Sequence, residues 1–349
     1  MNFKNTLWIS HSALSAFSRC PHLYYLEYVY RNPKTGNRIQ TVNPYFSLGL
    51  SVHETIEGLA ETPKEERKKV SLKERFESIF ENYRGKRGGF VSRKKEEDFF
   101  RRGVEMVKRV EKSGFLAKPS ATISSNFPTV NLTGEEVKLV GSLDWIELLP
   151  EGGAHIIDFK TGNNKESNGS LQLPIYTILA KENLPMEVKK VSYWYLQHDD
   201  SPVAQEIGDI EKHRETIKEK AETIKNAIKE DHFPCRYNGK CFACGDYKRL
   251  FAGEGEMVGT DKERNKDLFI IFDRKEVAEK VLEEDFLEKE EKEIFRERTG
   301  SGDSGRTREE GKNKEVVYKI KEKLKANLSK GELKAIINLL REDGQNRGA

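Results

Sequence analysis

Apolar residues return at helical spacing near the start of the chain. Leu14, Phe17, Leu23 and Leu26, with Tyr24, Tyr25 and Tyr28, fill one such stretch over residues 10–30, and serines stand ready as caps. Pro21 is expected to interrupt or kink that helix just after Cys20. Two further helical stretches are predicted over residues 46–60 and 72–83. From residue 121 the period shortens to that of strands. Residues 137–149 and 155–160 are expected as two strands joined by the turn 150–153, whose Pro-Glu-Gly-Gly suits a hairpin. A polar loop over 161–169 leads into a helix over 171–183, and 188–197, rich in Val, Tyr and Trp, predicts another strand. Residues 211–230 read as a charged amphipathic helix with Ile217, Ala221, Ile224 and Ile228 on its apolar face.

After Cys244 the pattern fades into Lys, Glu, Arg and Gly. Residues 290–314 hold too little apolar content to pack and are expected to be disordered or loosely helical. Residues 316–340 recover enough Ile and Leu for two short helices. These readings divide the chain into a main domain over 1–251, a charged linker over 252–315 and a short helical segment over 316–349. No internal repeat is evident.

Composition sharpens this picture only in part. With 349 residues the chain can bury a sizeable core, yet 36% hydrophobic against 34% charged residues implies that part of it is solvated extension. The 61 basic and 58 acidic side chains leave a net charge of +3, so the total announces no nucleic-acid partner and the distribution has to. The basic side chains Arg84, Lys86, Arg87, Arg93, Lys94, Lys95, Arg101 and Arg102 form one concentrated stretch, readable as backbone contacts or as a solvated helical face. No run approaches the roughly 18 apolar residues of a membrane helix, and residues 1–10 lack the apolar core of a signal peptide. A cytoplasmic protein without membrane contact is expected.

The most informative residues are Gly141-Ser-Leu-Asp144 and Asp158-Phe-Lys160-Thr-Gly162. In a strand, side chains two apart share a face, so Asp158 and Lys160 point one way while Ile157 and Phe159 point into the opposite layer. A hairpin partner would bring Asp144 beside Asp158. Paired carboxylates attract a hard divalent cation, which acidifies water and offsets charge on phosphorus oxygens. Lys160 would orient the attacking water or bind the phosphate. The alternative is a surface ion pair at a strand end, since Asp-x-Lys recurs at Asp246-Tyr-Lys248 and Asp273-Arg-Lys275. Gln172 and Tyr176 follow at a spacing that stacks them on one helix face, suited to phosphate or base contacts or to a capped helix with a half-buried tyrosine. His53 is a candidate metal ligand or a structural histidine.

Cys20 lies near the start, and Cys235, Cys241 and Cys244 form C-x5-C-x2-C about two hundred residues later. In a reducing compartment four thiols suit tetrahedral zinc or an iron–sulfur cluster, or are buried without metal.

In their order these residues resemble the PD-(D/E)xK nuclease superfamily, and within it the RecB-like exonucleases, which include CRISPR-associated members and the iron–sulfur nuclease domains of helicase-nucleases. The resemblance spans residues 10 to 250, and it carries the cysteine motif around Cys20, His53, Gly141 to Asp144, Asp158-Phe-Lys160 and Gln172 to Tyr176. It implies an α/β fold with a restriction-endonuclease-like mixed sheet core flanked by helices, plus the charged carboxyl-terminal extension. It further implies Mg²⁺ or Mn²⁺ on His53, Asp144, Asp158 and the Phe159 carbonyl, with Asp144, Asp158 and Lys160 catalytic and Gln172 and Tyr176 near the DNA. Cys20, Cys235, Cys241 and Cys244 would hold a [4Fe–4S] cluster, with Zn²⁺ the alternative, because the spacing of the late triad is reversed from C-x2-C-x5-C. The implied activity is DNA exonuclease action on single strands or duplex ends in repair, recombination or CRISPR-type processing, with a helicase or a CRISPR or recombination protein as partner. The competing reading is a non-catalytic DNA- or protein-binding module that keeps the nuclease fold.

Overall fold

The structure is a computed structural model and describes residues 6–123, 127–134, 136–299 and 313–340. β1 (Leu7–Ile9), α1 (His11–Arg19) and α2 (Pro21–Tyr24) open the chain and run into a π-helical turn over Tyr25–Val29. Next come β2 (Arg38–Val42), α3 (Pro44–Glu57), α4 (Lys64–Arg67), α5 (Leu72–Phe80) and α6 (Arg93–Lys112). Five strands follow: β3 (Ser120–Ala121), β4 (Thr129–Thr133), β5 (Val137–Val140), β6 (Trp145–Leu148) and β7 (Ala154–Lys160). Then come α7 (Gln172–Asn183), β8 (Val188–Tyr195), β9 (Val203–Gln205), α8 (Ile210–Lys229) and α9 (Gly245–Phe251). β10 (Gly255–Asp261), β11 (Lys266–Ile271), α10 (Arg274–Glu283), α11 (Lys289–Thr299), α12 (Asn313–Asn327) and α13 (Lys330–Ile336) complete the described elements. The mixed α/β class expected from the sequence is the one observed.

Two compact units are present. The first comprises residues 1–30, 45–83 and 99–244, and the second residues 31–44, 84–98 and 245–349. Residues 31–44 and 84–98 fall inside the expected 1–251 domain, yet they pack with the later part of the chain.

In the first unit a five-stranded sheet runs in the order β3-β6-β7-β8-β9, with β7 antiparallel to β6 and parallel to β8. The parallel pair needs a crossover, and α7 supplies it. Every residue of α7 from Leu173 to Ala180 is buried, as a helix covered on all sides requires. A smaller sheet, β1-β5-β4, pairs β1 parallel to β5. The single strand expected over 137–149 is therefore two strands in two sheets, broken at 141–144. Gly141 explains the break: the chain passes so close to α7 there that a Cβ would lie 2.8 Å from Leu179 Cδ1. Beneath β7 the rings of Phe115, Trp145, Phe159 and Trp194 pack at centroid distances of 5.0 to 6.0 Å. Such pairs add about 0.5–1.5 kcal/mol each beyond their buried area. α1 begins where Ser10 Oγ accepts the Ala13 N–H at 3.2 Å.

The second unit holds the sheet β10-β11-β2, with α10 to α13 around a core that includes Val42, Phe272, Val281, Phe295, Ile320 and Ile336. Where a charged linker was expected from 252, residues 255–299 form two strands and two helices. Their few apolar side chains are well placed, Phe272 and Phe295 being fully buried, and buried carboxylates find lysines, as Glu291 does with Lys323 at 2.6 Å. Of residues 290–314, expected to be disordered or loosely helical, 290–299 belong to α11 and 300–312 lie outside the described residues. Two short helices, α12 and α13, do occur in the last part. Asp267 ties the loop before β2 to β11, its carboxylate accepting from Asn32, Thr35, Asn37 and Thr260.

Candidate active site

The register of the hairpin fixes where the two aspartates stand. Trp145 pairs with Ile157 and Ile146 with Ile156, so one step further Asp144 falls opposite Asp158. β6 has ended by then, and the Asp144 carboxylate replaces the missing ladder partner: its Oδ2 accepts the Phe159 N–H at 2.8 Å. Asp158 and Lys160 share a face of β7, with Lys160 Nζ 2.7 Å from Asp158 Oδ2 in an ion pair. α7 brings the next groups. Gln172 accepts from Lys160 Nζ at 2.5 Å and donates to Asp158 Oδ1 at 2.6 Å, while its amide also reaches the Tyr176 hydroxyl at 3.2 Å. His53, Asp144, Asp158, Phe159, Lys160, Gln172 and Tyr176 thus line one cleft of about 390 Å³.

Sequence reading missed two residues of this cleft and its rim. Glu57, one turn after His53 on α3, lies with its Oε1 2.5 Å from His53 Nδ1, and Asp144 Oδ2 is 3.4 Å from the same nitrogen. The i, i+4 spacing in His53-Glu-Thr-Ile-Glu57 was the available signal. Glu166, in the polar loop, stands 3.5 Å from Lys160 Nζ. Ligand atoms of His53, Glu57 and Asp144 all lie within 4.8 Å of one another. That grouping has Glu57 in the place expected for Asp158, whose oxygens face Gln172 and Lys160 instead.

Electrostatics state what this cluster would hold. Burial pushes the Asp144 carboxyl well above the usual carboxylate range, and the charges of Asp158 and Glu57 push it further, against the pull of His53. Asp158 is raised as well, chiefly by burial, although Lys160 and His53 oppose the shift. Burial disfavours charge on His53, yet Asp144, Glu57 and Asp158 outweigh it and raise the imidazole to about 10. Burial likewise works against the Lys160 ammonium, and Asp158, Glu166 and Asp144 outweigh it. Tyr176 is held protonated by burial and the nearby aspartates. Carboxylates crowded in low dielectric call for a cation. Asp158 Oδ2 is buried and has no hydrogen-bond partner, only the facing ammonium. These residues fit a hard divalent ion with oxygen and imidazole donors.

The other Asp-x-Lys sequences are accounted for elsewhere. Asp273 is the N-cap of α10 and accepts the N–H groups of Lys275 and Glu276 at 2.9 and 3.2 Å, and Asp246 lies in the first turn of α9. Much of the basic stretch is committed internally: Arg84 pairs with Glu96, Lys86 with Glu256 and Glu332, and Lys95 with Glu276.

The four cysteines come together. Cys20, Cys235, Cys241 and Cys244 place their sulfurs within 4.8 Å of one another, with 3.6 Å between Cys20 and Cys244, and none is in a disulfide. Burial and the neighbouring Cys20 and Cys241 raise the Cys244 thiol. Burial opposes ionisation of Cys20 too, but the N–H groups of Arg236 and Leu23 and the Cys244 thiol bring it to about 7. Four thiolates so close repel unless a cation lies among them, so the donor set fits a bound metal. Bonds of about 2.3 Å to one tetrahedral zinc set neighbouring sulfurs roughly 3.8 Å apart, close to this spacing.

No helix among the described residues is long and apolar enough to cross a membrane. No curated protein matches the chain. The sequence signature of the PD-(D/E)XK nuclease superfamily matches residues 8–249, which takes in the hairpin, α7 and all four cysteines. The chain belongs to the PD-(D/E)XK nuclease superfamily.

Proposed function

We propose that this protein is a metal-dependent DNA nuclease of the RecB-like type, hydrolysing phosphodiester bonds at single strands or duplex ends. Superfamily membership implies a nuclease, and such enzymes usually use Mg²⁺ or Mn²⁺. The observation that carries the reading is the convergence of Asp144, Asp158, Lys160, His53, Gln172 and Tyr176 on one cleft. His53, Glu57 and Asp144 would hold the ion, with Asp158 and the Phe159 carbonyl beside them. When bound, the ion supplies Lewis acidity, lowering the pKa of water and offsetting charge on phosphoryl oxygens.

The chain's own groups do the positioning. Lys160, held by Asp158 and Gln172, presents an ammonium that donates to a phosphoryl oxygen or orients the attacking water. Gln172 fixes both Asp158 and Lys160, so it sets the direction of the donor. Tyr176 keeps its proton and offers a neutral donor beside the carboxylates. Water adds to phosphorus as the opposite P–O bond breaks, and the departing oxygen takes up a proton. Asp158→Ala and Lys160→Ala are expected to lower the cleavage rate at least ~10²-fold while single-strand affinity changes little. Cleavage by either variant at the wild-type rate refutes the assignment, and metal-dependent cleavage by the wild type removes the binding-module reading.

For the thiolate site the family resemblance favours [4Fe–4S], whereas the sulfur spacing favours a single Zn²⁺. Anaerobic purification decides it: a brown protein with iron and labile sulfide, or a colourless one with zinc. Repair, recombination or CRISPR-type processing, with a helicase or a CRISPR or recombination protein as partner, is the setting that suits such an enzyme.

A further inference from the structure

The ten residues from Cys235 to Cys244 carry an unusual surface. Phe242 is 97% exposed and Tyr237 61% exposed, on a loop whose cysteines are drawn inward. An aromatic ring left in water is costly, and here two stand on one short loop. The backbone explains how they are held. Asn238 and Gly239 both have positive φ, 45° and 87°, and the Lys240 N–H donates to the Tyr237 carbonyl at 2.8 Å. This is a tight Asn-Gly turn of the type that sets its flanking residues side by side, so Tyr237 and Lys240 stand together. Arg236 precedes them, also exposed, and no acidic residue lies between Cys235 and Cys244. Aromatic rings interleaved with cations on a clamped loop form the surface that unstacked nucleic-acid bases and phosphates recognise.

α1 measures the distance from this loop to the carboxylate cleft. At its start, the parallel pairing of Ile9 with Leu139 puts residues 10 and 11 beside Val140 and Gly141, just ahead of Asp144. At its end is Cys20, whose sulfur meets Cys244 and the Arg236 N–H. The helix has nine residues, a length of about 13 Å at 1.5 Å per residue. That corresponds to roughly four nucleotides at the 3.4 Å rise of a stacked strand, and fewer if the strand is stretched. α1 also carries no acidic side chain, and Ser12, Ser18 and Arg19 are exposed along it, so phosphates following it meet no negative charge from this helix.

We propose that the cysteine-clasped loop is a stacking platform for single-stranded DNA. Tyr237 and Phe242 lie against bases, Arg236 and Lys240 neutralise phosphates, and the strand is held two to four nucleotides from the scissile bond. The inference rests on the nuclease reading and adds to it a binding subsite that favours a single strand over a closed duplex.

The test uses the full chain in an Asp158→Ala background, so that bound strands stay intact. Fluorescence anisotropy compares a labelled oligothymidine with a blunt duplex, for this protein and for added Phe242→Ala, Tyr237→Ala and Phe242→Trp. Each alanine variant is expected to weaken single-strand binding about tenfold, with Phe242→Trp restoring it and duplex binding changed by less than about twofold. A strand carrying 2-aminopurine loses fluorescence on stacking, and Phe242→Ala should abolish that quenching. Both rings are exposed, so their removal opens no cavity, and circular dichroism checks the fold. Unchanged single-strand binding overturns the proposal, as does an equal loss for strand and duplex. The nuclease reading is judged separately, by metal-dependent cleavage with the unsubstituted chain. If that chain cuts nothing while the alanine variants lose strand binding, the platform stands and the nuclease reading falls.

Discussion

Glu57 reaches His53 across one turn of α3, and the imidazole Nδ1 faces two carboxylates, hydrogen-bonded to Glu57 at 2.5 Å with Asp144 at 3.4 Å. Whether Glu57 ligates the ion or only orients His53, its loss weakens the site. Glu57→Gln is expected to raise the Mn²⁺ concentration for half-maximal cleavage by ~10- to 100-fold. An unchanged metal requirement would remove Glu57 from the site. Asp158 and Lys160 could be read from the sequence because a strand has a period of two and nothing else is needed to put them on one face. Glu57 could not be singled out in the same way, since acids at i+4 on helices are common in a chain with 58 of them. Asp273-Arg-Lys275 shows the converse: the same spacing as Asp158-Phe-Lys160, used as a helix cap.

At the scale of elements, β5 to β8 and helices such as α3, α5, α7 and α8 are legible in the sequence, whereas β1, β2, β9 to β11 and α6 are not, and two of the departures have local causes. The expected strand over 137–149 splits at 141–144, where Gly141 lets the chain pass close to α7 and a Cβ there would make Leu179 shift. A hydrophobic pattern records alternation but not a change of sheet. The charged linker expected from residue 252 is instead folded over 255–299, because low average hydropathy does not exclude a core when apolar residues such as Phe272 and Phe295 point inward. Gly103 offers a test of packing between helices. On α6 its Cα faces the Phe76 ring of α5, and a Cβ would lie 2.1 Å from Phe76 Cζ. Gly103→Ala is therefore expected to destabilise the protein by about 1–3 kcal/mol despite the better helix propensity of alanine, read as a lower urea midpoint. A rise in midpoint would show that Phe76 moves aside without cost.

At the scale of the whole molecule, neither unit is a continuous stretch of chain, so a boundary drawn from composition near residue 251 could not describe them. The second unit carries a pH dependence of its own. Burial works against the Glu332 carboxylate, but Lys280, the Ser329 cap and Lys86 hold its pKa down to about 2. A depressed acid stabilises the fold fully above its unfolded value of 4.5, and that contribution disappears as pH falls towards 2. Glu332→Gln should cost about 1–3 kcal/mol at neutral pH. The difference in Tm between the variant and the wild type should narrow below about pH 4.5, and a constant difference down to acid pH would assign the loss to packing alone. The first unit is built with unequal rigidity. At Asp158 to Lys160 β7 is paired with β8 on one edge, and on the other the Asp144 carboxylate stands in for β6 by accepting the Phe159 N–H, so the amides there should be among the slower in the chain to exchange hydrogen. His53 and Glu57 lie in the last turns of α3, and helix ends are where local opening is expected to begin. On the proposed assignment, metal loading is therefore expected to fluctuate on a faster timescale than the Asp158–Lys160 pair.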